Sequence, residues 1–215
     1  MKQFVVVGLG RFGSSLAETL SEKDFDVLAI DVDEEIVQSM SNIVTHAVEA
    51  DATDEEALKT LGVRNFDVAV VSIGDDIHSN ILATLILKEL GVPYVVVKAQ
   101  NKLHGKILKK VGADRVVYPE RDMGARIAHN LISSNVLDYI EFAKDYSIVE
   151  IIATSNMVGN SLSDLKLRTR FGVNVMAIKR GEELNVTPGA NDRILEGDIL
   201  VVMGKNSDLD EVKEL

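Results

Sequence analysis

Short apolar runs bounded by glycines and polar residues alternate along this chain with segments whose apolar positions recur every three or four residues. The runs predict strands near Phe4 to Gly8, Val27 to Asp31, His46 to Glu49, Val68 to Ser72, Tyr94 to Lys98 and Arg115 to Tyr118. The periodic segments predict helices near Phe12 to Ser21, Glu34 to Met40, Asp54 to Leu61, Ile77 to Leu90 and Lys102 to Lys110, with Gly62, Gly91 and Gly112 as C-terminal stops. Strands that are continuously apolar are buried on both faces, and strict alternation of strand and helix implies a parallel sheet. Residues 1–119 therefore read as an α/β domain, a Rossmann-like doubly wound parallel sheet.

A further helix is predicted over Glu120 to Val136, where Met123, Ile127, Leu131 and Ile132 keep helical spacing, yet no strand of the first sheet follows it. Leu137 to Asp145 reads as the boundary, so that residues 120–143 join the first lobe to a second at 144–215. There the pattern is strand (Ser147 to Ala153), short helix (Ser161 to Leu165), strand (Val173 to Lys179), hairpin turn (Arg180 to Glu183), strand (Leu184 to Val186), strand (Asp198 to Met203) and helix (Ser207 to Val212). This βαβββα order predicts a small α+β lobe.

Composition narrows the partners. The 215 residues, 46% of them hydrophobic, suffice for a large core and a small one. A formal charge of -11 repels phosphate backbones and anionic lipid surfaces, so nucleic acid is not expected as a partner. The absence of cysteine removes disulfides, thiol nucleophiles and thiolate metal sites. No apolar run approaches the roughly 20 residues that span a bilayer, and the chain enters a strand within its first four residues, so neither a membrane segment nor a leader is expected.

The candidate chemistry sits behind the first strand. Gly8-Leu9-Gly10-Arg11-Phe12-Gly13 follows an apolar run and opens a helix, and Asp31 stands 18 residues beyond Gly13. Glycines there permit a tight turn and close approach of a diphosphate, the helix N–H groups face the anion, and the acidic residue accepts a ribose diol. Asp31 selects NAD or an adenosine nucleotide over NADP; the same geometry does not separate NAD from ATP or ADP. Arg11 places a cation inside the turn. Asp51-Ala52-Thr53-Asp54 after the third strand contains a helix cap, at Thr53 or Asp54, and a base contact at Asp51. Ser72-Ile73-Gly74-Asp75 faces the same crevice.

Enzymatic readings find less support. Tyr94 and Lys98 match the Tyr-x-x-x-Lys spacing of short-chain dehydrogenases, but that dyad needs one helical turn, whereas a β-branched run separates the pair by about 13 Å. His46, His78, His104 and His129 lack metal-ligand spacing and read as surface or strand-end residues. An ATPase would need a Walker lysine and a positioned base. An NAD-dependent oxidoreductase remains the alternative to a nucleotide sensor. Glu120-Arg121-Asp122 is a solvated helix start or a cation site.

Taken together with Leu87-Lys88-Glu89-Leu90-Gly91, Val97-Lys98-Ala99-Gln100, Gly112-Ala113-Asp114, Pro119 to Gly124 and Asn135 to Tyr139, these motifs resemble, over the whole length, the RCK-domain regulatory subunits of bacterial Ktr and Trk potassium uptake systems, of the KtrA and KtrC type. The resemblance implies a cytoplasmic ring of eight copies assembled from dimers. The ring would dock beneath a membrane potassium-translocating subunit of the KtrB or KtrD type, without inserting into the membrane itself. It implies ATP or ADP in the first lobe, with NAD or NADH also bound in the wider family. Gly8, Gly10 and Arg11 would hold phosphates, Asp31 and Asp33 the ribose, Asp51 and Thr53 the adenine side and Lys98 the crevice floor. Phe12, Gly13, Ala52, Ile73 and Gly74 complete that set. The helix from Glu120 would serve in dimerisation, with Glu120 sharing a cation (Mg, Ca or Na) across the interface. The second lobe would take cyclic di-AMP at Leu162, Leu167, Arg168, Asn174, Val175 and Pro188. Asp33 stands where relatives often carry Asn, Ala50 replaces a common glycine, and leucines 162 and 167 often correspond to isoleucines.

Overall fold

The computed structural model describes residues 2–132, 135–213 and 215, and its chain divides into two compact units, Met1–Pro119 and Glu120–Leu215. The first unit runs β1 (Gln3–Val7), α1 (Arg11–Ser21), β2 (Asp26–Asp31), α2 (Glu34–Met40), β3 (His46–Glu49), α3 (Glu55–Thr60), a 3-10 turn (Val63–Asn65), β4 (Val68–Val71), α4 (Ile77–Glu89), β5 (Tyr94–Lys98), α5 (Lys102–Val111) and β6 (Arg115–Val117). Its six strands are all parallel, in the order β3-β2-β1-β4-β5-β6. Successive residues of β1 serve opposite faces: Val5 and Val7 join the core with Ile30, Val71 and Leu87, while Val6 joins the other with Ala17, Ala29 and Met40. That double burial is why these strands lack a polar alternation. Asp33, Asp54 and Asp76 cap α2, α3 and α4, each accepting two backbone N–H groups. Gly62, Gly91 and Gly112 close α3, α4 and α5 at φ of 69°, 85° and 115°, where a Cβ would be strained.

The second unit comprises α6 (Pro119–Ile132), β7 (Val136–Ala143), β8 (Tyr146–Ile152), α7 (Leu162–Leu165), α8 (Leu167–Phe171), β9 (Asn174–Arg180), β10 (Glu183–Asn185), β11 (Ile199–Lys205) and α9 (Asn206–Lys213). These strands make an antiparallel sheet ordered β10-β9-β11-β8-β7 around a core that includes Val149, Ile151, Leu200 and Leu209.

Three expectations for this unit are corrected. The helix ends at Ile132 and not at Val136, positions 133–134 lying outside the described residues. The stretch expected as a boundary, Leu137 to Asp145, is mostly β7, a full edge strand paired to β8. Its alternation is blurred by bulges near 137 and 142, and only the partner strand makes its backbone bonds. The lobe is thus one strand and one helix richer than βαβββα, α8 being set off from α7 by Lys166 at φ 51°. Arg126 of α6 pairs with Asp138 of β7, tying the helix to that edge.

A candidate nucleotide site at the glycine loop

The sheet order reverses between β1 and β4, and the crevice outside their carboxyl ends is where an open parallel sheet receives a ligand. Gly8 enters the crevice at φ 87°, its N–H donating to the Ile30 carbonyl at 2.9 Å. A side chain there would press to 2.8 Å from the Ile73 nitrogen. Gly13 is closed more tightly, since a methyl group would lie 1.9 Å from the Gly8 carbonyl oxygen. Gly10, the N-cap of α1, differs: a methyl group there would meet nothing within 4 Å, and no side chain caps the helix. The first N–H groups of this 11-residue helix thus receive no side-chain cap at Gly10. Arg11 is exposed beside them and Phe12 half-buried.

Asp31 ends β2 half-buried, accepting the Leu9 amide at 2.5 Å through Oδ2 and the Asp33 amide at 3.0 Å through Oδ1. Asp33 spends one carboxylate oxygen on the amides of Glu35 and Ile36. Asp51 holds the Thr53 amide and hydroxyl at 2.8 and 2.7 Å, bonds that lower its pKa, so Asp54 and not Thr53 caps α3. Ala52 is buried in the core.

Ile73 and Gly74 follow β4, and Lys98 ends β5 with its ammonium 6.0 Å from the Phe12 ring centroid. Asn80 of α4 donates to the Ile73 and Lys98 carbonyls at 2.7 and 3.2 Å, and Gln100 donates to the Gly74 carbonyl. Sequence reasoning missed Asn80 and the role of Gln100; a lone amide in the apolar run Ile77 to Leu87 was the available signal. It also misplaced His104, which is 2% exposed, receives the Gln100 amide on Nδ1 at 3.3 Å and is pushed by burial below the usual imidazole range. His46 and His78 are exposed as expected, and the His129 side chain lies outside the described residues. Tyr94 and Lys98 lie at the two ends of β5, as their β-branched spacing requires.

Glu120 is exposed in the first turn of α6. Among the described residues no three His, Asp or Glu side chains converge as a metal site. In the second unit Arg168 and Asn174 are exposed, Leu162, Val175 and Pro188 are half-buried, and Leu167 is core at 3% exposure. Among the described residues no helix is long and apolar enough to cross a membrane.

A parallel sheet with a glycine loop at its switch point and an acid at the end of β2 is a Rossmann-type fold, here followed by a separate antiparallel lobe. The TrkA-N domain matches residues 4–119 and the TrkA-C domain residues 146–215. The Ktr system potassium uptake protein C of Bacillus subtilis (strain 168) is 53% identical over 208 residues, covering 97% of this chain and 94% of the relative. Among solved structures, the GsuK channel bound to NAD has a TM-score of 0.69 at 17% identity, covering 100% of this chain and 39% of that one. The GsuK structure bound to ADP has a TM-score of 0.51 at 28% identity, covering 61% of this chain and 34% of that one. The chain belongs to the RCK-domain regulatory subunits of the Ktr potassium uptake systems. Its role is regulatory, not catalytic, which sets the oxidoreductase alternative aside.

Proposed function

We propose that this chain is the cytoplasmic gating subunit of a potassium uptake system, and that it reads the phosphorylation state of an adenine nucleotide at the glycine loop. The carrying observation is the open N-terminus of α1 at Gly10 beside the exposed cation of Arg11. Backbone N–H groups and the helix dipole receive a diphosphate. A guanidinium adds bidentate recognition of a further phosphate, on the same nucleotide or on one held by a second copy. Asp31, with Asp33 beside it, receives the ribose, and Lys98 lines the floor. The ADP complex of GsuK, a fold relative, supports an adenosine nucleotide, and its NAD complex is the precedent for a dinucleotide.

The chain works as dimers assembled into a ring of eight under a KtrB- or KtrD-type subunit. Glu120, exposed in the first turn of its helix, shares a cation with its counterpart in a second copy. Cyclic di-AMP binds the second lobe, where Arg168 and Asn174 stand exposed beside the half-buried Leu162, Val175 and Pro188. Leu167 supports that surface from the core. The nucleotide lobe is residues 1–119; in the second unit the helix that begins it serves in dimerisation, and β7 adds an edge strand to the cyclic di-AMP lobe of residues 144–215.

A ligand moves such a ring only by binding two conformations unequally, and a ten- to hundredfold preference, about 1.4 to 2.7 kcal/mol per site, suffices over several sites. ATP and ADP are expected to bind with comparable affinity and to give different small-angle scattering curves. Superimposable curves would overturn the reading. Arg11→Ala is expected to abolish the difference while ADP binding persists, and Arg168→Ala to remove cyclic di-AMP binding alone.

A further inference from the structure

Asn80 is fully buried in the first turn of α4, a helix whose other buried residues are Ala83, Thr84, Ile86 and Leu87. Its carboxamide nitrogen donates at 2.7 Å to the Ile73 carbonyl and at 3.2 Å to the Lys98 carbonyl. One side chain thus ties the exit of β4 to the exit of β5. The ladder between these strands ends at the Val71 and Val97 pair, so sheet pairing does not set the spacing of the two loops beyond it. Asn80 Oδ1 has no hydrogen-bond partner among the described residues. An unpaired buried acceptor is destabilising, a cost that an apolar residue at this position of α4 would avoid.

The tie acts on the crevice. Lys98 Nζ lies 3.7 Å from the position of a Cβ on Gly74, and the same ammonium faces the Phe12 ring in the glycine loop. Gln100 adds a second strap by donating to the Gly74 carbonyl, and its own amide is held by His104. The backbone at Lys98 and that at Ile73–Gly74 are therefore held at a common spacing, by the buried Asn80 from within and by the exposed Gln100 from outside. We infer that Asn80 is a positioning residue for nucleotide recognition: it sets the Lys98 ammonium against the Gly74 backbone at the separation that the phosphates of a nucleoside di- or triphosphate require. This rests on the nucleotide reading of the glycine loop given above.

Calorimetric titration of the full-length protein with ADP and ATP, on a double-mutant cycle of Asn80→Ala and Lys98→Ala, tests it. The wild type is expected to bind both nucleotides. Asn80→Ala is expected to bind at least tenfold more weakly while still unfolding cooperatively, and in the Lys98→Ala background the same substitution is expected to cost threefold or less. Asn80→Ser, whose hydroxyl retains one donor, is expected to fall between wild type and Asn80→Ala, and runs the same cycle if Asn80→Ala does not fold. A wild type that binds neither nucleotide overturns the nucleotide reading, and this inference with it. Wild-type binding with Asn80→Ala within twofold overturns the role of Asn80 alone. A tenfold loss equally large without Lys98 marks general structural damage and overturns positioning.

Discussion

The amide of Leu9 donates to Asp31 Oδ2 at 2.5 Å, and the other oxygen of the same carboxylate accepts the amide of Asp33 at 3.0 Å. One acidic side chain therefore holds the glycine loop against the end of β2. A ribose diol bound as proposed would share these two oxygens, which have lone pairs enough for both duties. Asp31→Asn keeps the shape but turns one acceptor into a donor facing an N–H. We expect it to lower the unfolding free energy by about 1–3 kcal/mol in urea denaturation, and ADP affinity to fall at least tenfold in calorimetry. Unchanged stability would mean that the Leu9 contact contributes nothing.

The three glycines of the loop are not equivalent. At Gly13 a methyl group would overlap the Gly8 carbonyl oxygen at 1.9 Å, so Gly13→Ala is expected to lower the melting temperature by about 6–12 °C, the equivalent of ~3 kcal/mol in a chain of this size, or to prevent folding. Gly10 has φ -63°, ordinary for alanine, and open space around it. Gly10→Ala should melt within about 2 °C of wild type yet bind ADP at least tenfold more weakly, because the methyl would stand where the proposed site receives the diphosphate. Equal binding by Gly10→Ala would place the phosphates elsewhere.

Asp198 is wholly buried and takes two bonds from Arg180 at 2.8 Å and one from the Leu195 amide at 2.8 Å. The Arg180 guanidinium is the main reason its pKa is lowered from the usual carboxylate value. A depressed folded-state pKa means that this stabilisation is fully present above the unfolded value near 3.8 and is lost as the pH falls through the folded one. Asp198→Ala is expected to cost about 1–3 kcal/mol at pH 7, with the gap from wild type closing below about pH 4 in acid titrations followed by circular dichroism. A gap constant down to pH 2 would rule out the carboxylate as its source.

The legible parts of the protein were those governed by local rules. All six strands of the first sheet lie within a residue of their predicted runs; central strands such as β1 and β4 are buried on both faces and so apolar, while the edge strands β3 and β6 carry exposed polar ends. Asp54 was readable as one of two candidate caps, but choosing it over Thr53 required seeing Asp51 hold the Thr53 hydroxyl. Strand β7 was not legible: Leu137, Ile140 and Phe142 are exposed among acidic residues, and its regularity comes from β8. His104 misled because histidine is usually exposed, and its burial follows only from the packing of α5.

Glycine spacing, apolar periodicity and the acid at the end of β2 were enough to specify a doubly wound fold, the glycine turn at its switch point and, with the later motifs, its family, because each acts within a few residues of chain. The Asn80 tie from β4 to β5, the engagement of Asp31 by Leu9, and the edge strand β7 were decided only in three dimensions. Each depends on hydrogen-bond partners drawn from separate elements, and periodicity along one segment carries no trace of where such a partner will stand.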